Sequence, residues 1–342
     1  MSATSVPTPE PSQRMAGLLM GHVEAECIHA VAVLGVADPL ANGHTTIEAL
    51  AVAANCDESS LQRVLRTLVR TGLFSEDARG RFELTALGAT LRSDAQDSLR
   101  HAAIFVMSAP MWATCGALLD TLRSSAPSFV GLHDATVYEY LAKNPELGAV
   151  FNRYMTTQSN LHNAAIVDAY DFSEVRTLVD VGGGQGATLA AVLRRHPSVR
   201  GILFDLPEVV ATSARLEMSD LAERCEVTGG DMLHSVPAGG DVYMIKRVMM
   251  DKTDSDAEIV LRNCLSTMNA EGKILVIDPM LPAGTGPHPN WLTDILMMVA
   301  QGGRCRTEVD FRNLFDAVGL KLARVVATRS PNFILEGVRM TA

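Results

Sequence analysis

The sequence predicts an α/β fold, a Rossmann-like, doubly wound and mostly parallel sheet, preceded by a mostly helical region with a small β wing. Three observations carry this. An apolar, β-branched run at 177–181 ends in four glycines within five residues, Gly182, Gly183, Gly184 and Gly186, and a helical pattern follows at once over 187–196. A second apolar run, 201–204, closes on Asp205, 19 residues after Gly186. This is the strand, tight turn, helix, strand order of a Rossmann-like unit. Further short apolar runs at 224–228, 241–246, 273–278, 320–326 and 332–338 alternate with helical segments, and the last two are expected to form an antiparallel edge.

Taken from the N-terminus, residues 1–13 are polar and Pro-rich and read as a disordered tail. They have neither the basic start nor the apolar core of a signal peptide. Residues 14–165 read as helices almost throughout. Asp57 is placed to cap a helix whose apolar residues fall at 61, 64, 65, 68 and 69, one face of a 3.6-residue period. A short hairpin over 72–84 follows, so helix, helix and β wing suggest a winged helix. Residues 166–342 hold the sheet.

Composition narrows the function classes. The 342 residues are 47% hydrophobic and 20% charged, enough to bury a substantial core. The net charge of −10 argues against a nucleic-acid partner, which needs a basic surface. Six scattered cysteines without a C-x-x-C pair read as free thiols in a reducing cytoplasm. No His/carboxylate spacing suggests a metal. The longest apolar stretches read as charged or too short for a bilayer, so no membrane partner is expected.

The glycine loop points to a ligand. Its glycines let the backbone turn sharply and approach a bound molecule. Asp205, at the tip of the second strand, is placed to accept both hydroxyls of a ribose. Asp180, two residues before the first glycine, would repel a pyrophosphate but suits an ammonium group. Ribose plus an amino-acid tail without phosphate describes S-adenosylmethionine.

Beyond the loop, motifs recur along the chain: Arg63-Val-Leu-Arg-Thr-Leu68, Phe151-Asn-Arg-Tyr-Met155, Phe204-Asp-Leu-Pro207, Gly230-Asp-Met232, Lys246-Arg-Val-Met-Met-Asp251, Asp278-Pro-Met-Leu-Pro282 and Gly303-Arg-Cys-Arg-Thr307. With Val179-Asp-Val-Gly-Gly-Gly-Gln-Gly186 they resemble the S-adenosylmethionine-dependent O-methyltransferases that include plant caffeate-type and bacterial antibiotic enzymes. The resemblance covers about 14 to 339. It implies a winged-helix dimerisation domain, a homodimer and a small-molecule acceptor. It also implies cofactor contacts from Asp180, Gly182, Gly184, Asp205, Leu206, Asp231, Met232, Lys246 and Ser159. Met155, Trp291, Asp294 and Met298 would face the acceptor.

One departure bears on chemistry. The family usually carries a histidine before the acid of the fourth-strand motif, where it takes the acceptor's proton. Here Met250 holds that place, and Lys252 holds the place of a tryptophan. The glutamate that backs the histidine is Cys305, while the other backing carboxylate remains as Asp278. A thioether cannot act as a base. Three readings follow. The acceptor needs little help and alignment does the work. Another group, such as His288, His162, His133, His101 or the Cys305 thiolate, serves instead. Or the cofactor is bound without methyl transfer. The most direct expectation is O-methylation of a small aromatic or polyketide-like secondary metabolite, with N- or C-methylation as the alternative. A rival class is a metabolite-sensing winged-helix regulator, since Arg63, Arg66 and Arg70 lie at helical spacing.

Overall fold

The computed structural model describes residues 10–213, 219–284 and 286–340, which form two compact units divided between Ala109 and Pro110. Residues 1–9 of the Pro-rich tail lie outside the described residues.

The first unit opens with α1 (Pro11–Leu19) and α2 (Gly21–Leu34). Met15, Leu18, Leu19 and Val33 are exposed on them. Together they make 24 residues that pass for a membrane span by length and composition alone, against the expectation that the longest apolar stretches are charged or too short for one. The helices α3 (Ile47–Ala54) and α4 (Glu58–Arg70) come next, followed by a hairpin of β1 (Phe74–Glu76) and β2 (Phe82–Leu84). The Asp57 carboxylate accepts the Ser60 N–H at 2.8 Å and so caps α4 as its sequence suggests. Leu61, Leu65 and Leu68 bury the apolar face of α4 in one cluster with Leu50, Phe74 and Phe82. Of the three arginines spaced along α4, Arg66 is bound by Glu76 at 2.8 Å and Arg70 pairs with Glu24. Two of the three charges a regulator would present are therefore met within the protein.

In the second unit, α5 (Val137–Lys143) carries a capping box at Thr136 and Glu139, and the long α6 (Pro145–Ala169) follows. The strands are β3 (Thr177–Val181), β4 (Arg200–Asp205), β5 (Cys225–Gly229), β6 (Val242–Lys246), β7 (Lys273–Pro279), β8 (Leu320–Ala327) and β9 (Asn332–Arg339). Between them run α7 (Ala187–Arg195), α8 (Asp254–Thr267), α9 (Asn290–Ala300) and α10 (Glu308–Asp316). The sheet order is β5-β4-β3-β6-β7-β9-β8. The first five strands are parallel, and β9 pairs antiparallel with both β7 and β8.

The inner parallel strands β3, β6 and β7 are largely apolar on both faces because helices cover both. Val179, Val181, Tyr243 and Ile245 pack on one side with Val260 and Phe315. Leu178, Met244 and Ile277 pack on the other with Ile166 and Leu189. The expected boundary at 165 moves to Ala109/Pro110 for a physical reason. Asn163 of α6 donates to the Ala187 carbonyl at 3.0 Å and accepts from the Thr188 hydroxyl at 2.8 Å, which fastens α6 to the sheet unit.

Candidate active site

The carboxyl ends of the parallel strands gather the residues with chemistry, as is usual for open α/β sheets. They form two groups, one around the glycine loop and one around the turn after β6.

At the glycine loop, Gly182 and Gly184 have φ of 69° and 60°, in the left-handed region that side chains avoid. A Cβ at Gly182 would also lie 2.7 Å from Val248 Cγ2 and 3.0 Å from Met232 Cε. Met232 is thus already packed against the loop. Asp205, at the end of β4, accepts the N–H of Gly184 and of Leu206, both at 2.7 Å. Those bonds fix its position and leave carboxylate acceptor sites for hydroxyl donors. Asp231 accepts the Leu233 N–H at 2.9 Å and meets the His234 ring at 3.0 Å.

Asp180 and Lys246 project from neighbouring strands on one face of the sheet, with Asp180 paired in register with Met244. Asp180 is buried, and its Oδ2 has no hydrogen-bond partner among the described residues. Burial raises the Asp180 carboxyl and draws the Lys246 ammonium down, while their mutual attraction works against both shifts. Lys246 Nζ donates to Ser159 Oγ at 2.8 Å. One turn earlier on α6, Thr156 donates to the Gln185 side chain at 2.7 Å. The helix α6 is therefore fastened along the glycine loop, which places Ser159 beside it. Positive-φ glycines, an enclosed carboxylate oxygen without a donor, and a ribose-type acid suit S-adenosylmethionine, whose ammonium and hydroxyls are donors.

The second group surrounds Met250. That residue is buried in the turn Met249–Asp251, and its N–H donates to Asp278 Oδ2 at 3.0 Å. Asp278 is fully buried at the end of β7. Its Oδ1 has no partner among the described residues, and burial pushes its carboxyl up to about 7. Gly303 lets the 302–307 segment pass against this turn, because a Cβ there would overlap the Met250 carbonyl. Cys305 is 2% exposed, and burial, with help from Asp294 and Asp278, pushes its thiol up to about 12. The flanking arginines do not oppose this by contact. Arg304 turns to Asp254 at 2.9 Å, and Arg306 binds Asp254 at 2.7 Å together with the carbonyls of Met249 and Lys252. Cys305 is a neutral buried thiol, so it does not supply the thiolate considered from sequence.

The other expected residues are distributed unevenly. Met155 on α6 and Met298 on α9 are half-buried. The Trp291 ring N–H donates to the Gly286 carbonyl at 3.1 Å. Asp294 accepts the Cys305 N–H at 2.7 Å, so it ties α9 to the 302–307 segment. Among the histidines, His288 Nδ1 accepts the Asn290 N–H at 3.2 Å, at the start of α9. His133 packs against Phe129 and Tyr140 at ring distances of 4.5 and 4.9 Å. His162 on α6 is held below the usual histidine range by burial and by the charges of Arg247 and Lys246. His101 lies in the first unit.

Three residues here were not anticipated. Tyr138 of α5 donates to Asp251 Oδ2 at 2.6 Å, across 113 positions of sequence, and nothing local signals it. Arg306 is fully buried yet sits in a polar run. Arg247 has φ of 56°, unusual for a side chain of its size.

A family model described as an O-methyltransferase domain matches residues 115–321, and one described as an O-methyltransferase dimerisation domain matches 16–94. The chain belongs to the O-methyltransferase family. It is a methyltransferase with S-adenosylmethionine as its cofactor and the class I fold, and its exposed α1–α2 stretch falls largely within the dimerisation match. It is 37% identical to the phenazine O-methyltransferase of Lysobacter antibioticus, over 93% of this chain and 94% of that one. The solved mitomycin 7-O-methyltransferase superposes with a TM-score of 0.91 at 32% identity, covering 96% of this chain and 98% of the other. An O-methyltransferase from neocarzinostatin biosynthesis, solved with S-adenosylmethionine and 2-hydroxy-5-methyl naphthoic acid, gives 0.80 at 30% identity, over 92% and 96%.

Proposed function

We propose that this methyltransferase methylates a hydroxyl of a small aromatic or polyketide-like secondary metabolite, by alignment and without a histidine base. The observation that carries the reading is the pair Met250 and Cys305. One cannot bind a proton near neutral pH, and the other is a thiol pushed up to about 12. In this reading Asp205, Leu206, Asp231, Met232, Gly182, Gly184, Asp180, Lys246 and Ser159 hold the cofactor. When bound, S-adenosylmethionine supplies an electrophilic methyl group. Met155, Met298 and Trp291 line the acceptor's place, and Asp294 acts through the 302–307 segment. Asp278 orients the turn through the Met250 N–H. The acceptor oxygen attacks as an ionised hydroxyl or loses its proton to water. Holding the two reactants in line supplies several kcal/mol of the barrier, about 7–11 in well-oriented systems.

The same two residues favour an amine acceptor as the second reading, since a neutral amine needs no proton removed before attack. Full-length protein incubated with cofactor and a panel of hydroxylated and aminated naphthoates and phenazines separates them. Mass spectrometry should find a single methyl added on oxygen. Methylation confined to nitrogen would favour the second reading, and cofactor binding without any methyl transfer would overturn both. The chain works as a cytoplasmic homodimer in this account. The dimerisation-domain match and the exposed Met15, Leu18 and Leu19 support the homodimer. A monomer in analytical ultracentrifugation at micromolar concentration would contradict it.

A further inference from the structure

Arg247 follows Lys246 at the end of β6 and precedes the Met249–Asp251 turn. Its N–H still pairs with the Ile277 carbonyl of β7 at 2.9 Å, while its φ of 56° turns the chain out of the strand. A non-glycine residue in this region is uncommon and is held there by its surroundings. Its Nε is enclosed and has no hydrogen-bond partner among the described residues. An enclosed charged donor without an acceptor is unfavourable and rare.

Among the described residues no carboxylate pairs with Arg247, although Asp278 Oδ1 is also without a partner. Asp251 Oδ2 accepts from Tyr138 and Asp278 Oδ2 from the Met250 N–H. Yet the Arg247 charge acts on Asp278, Asp251, Cys305, Tyr154 and His162, which come from four different segments. The guanidinium therefore lies within charge range of the group around Met250, with no carboxylate bound to it among the described residues. A planar guanidinium fork matches an oxygen anion in direction as well as charge.

We infer that Arg247 is the anion-binding residue of the acceptor site, selecting aromatic acceptors that present a negatively charged oxygen beside the position to be methylated. This rests on the reading of the Met250 group as the acceptor's site. The oxygen is either a ring carboxylate or the ionised hydroxyl itself. In the second case Arg247 does by charge what the missing histidine would do by proton removal, keeping the acceptor in its nucleophilic form.

Calorimetry on the full-length protein saturated with S-adenosylhomocysteine tests this without turnover. The probes are 1-hydroxy-2-naphthoate, which carries the carboxylate, 2,4-dinitro-1-naphthol, which is an anion at its hydroxyl near neutral pH, and 1-naphthol, which is neutral. At least one anion should bind about tenfold or more tightly than 1-naphthol, the scale of a charge-assisted hydrogen bond. The anion preferred identifies the source of the charge. Arg247→Gln should abolish the preference and leave 1-naphthol within about twofold. Arg247→Lys keeps the charge without the fork and should retain part of the preference, which covers the case of a glutamine variant that does not fold. Equal binding of all three probes to the unaltered protein, no binding of any, or a preference unchanged in both variants, would overturn the inference. A protein that prefers the anion but transfers no methyl group would instead overturn the proposed reaction alone.

Discussion

The two ends of the site differ in the chemistry of the side chains they bring together. Around the glycine loop the carboxylate of Asp205 is fixed by two backbone N–H groups, and Lys246 is met by Ser159. Asp180 Oδ2 at the loop, and Asp278 Oδ1 and Arg247 Nε around Met250, have no hydrogen-bond partner among the described residues, and the Met250 end also holds a thioether and a buried thiol pushed up to about 12. In the proposed reading the loop end holds one ligand, the cofactor. In the same reading the Met250 end keeps the Asp278 carboxylate, while Met250 and Cys305 take no proton from the acceptor. Cofactor binding is therefore expected to depend on a few polar contacts, whereas turnover depends on how the acceptor is held.

That contrast can be broken or sharpened by substitution. The largest effect is expected from Arg306→Met. Arg306 binds two carbonyls of the turn carrying Met250, and stranding them should cost about 2–5 kcal/mol of stability by denaturant unfolding. A loss below about 1 kcal/mol would mean the turn is held by something else. Asp205→Ala comes next. It should weaken S-adenosylhomocysteine binding by about 1.5–3 kcal/mol in calorimetry, and unchanged affinity would remove the ribose assignment.

A pH effect separates the Met250 end from the rest. Burial pushes the Asp278 carboxyl up to about 7, while an unfolded Asp titrates near about 3.9. The folded protein then holds that proton more tightly than the unfolded chain. Its stabilising contribution is full below about pH 4 and is lost as the pH rises through about 7. Compared with Asp278→Asn, the unaltered protein should lose up to about 1.4 kcal/mol per pH unit across that window. Parallel curves for the two proteins would show that Asp278 ionises normally. The smallest effect concerns rate. Met250→His alone should gain less than about threefold, because Cys305 cannot orient the ring, whereas Met250→His with Cys305→Glu should gain about tenfold or more. A large gain from the single change would show that the ring needs no backing.

How much of this is readable in the sequence follows from the range of the interactions. The strands 177–181, 201–204 and 273–278 announce themselves because β-branched apolar runs beside glycines have a local cause, and the observed β3, β4 and β7 match them within a residue or so. Asp57 is legible for the same reason, since a cap is a three-residue event. Tyr138 with Asp251, and Arg306 with Asp254, are not, because each pair is made only when distant segments meet. Arg247 leaves a faint trace at most. It is a cation at the end of an otherwise apolar strand, next to a lysine that draws attention away from it. The boundary at Ala109 is not legible because α6 is helical like the segments before it, and its contacts with the sheet unit, polar at Asn163 and apolar at Ile166, form only in the fold.

The central claim is that the enzyme transfers a methyl group without a proton-accepting residue of its own. Single-turnover rates measured from pH 5.5 to 9.5 with two hydroxylated acceptors of different acidity test it most directly. The apparent ionisation should move with the acceptor, by as much as the two hydroxyls differ. A midpoint that stays in one place for both acceptors, and disappears in His162→Ala, would contradict the claim and identify His162 as the base.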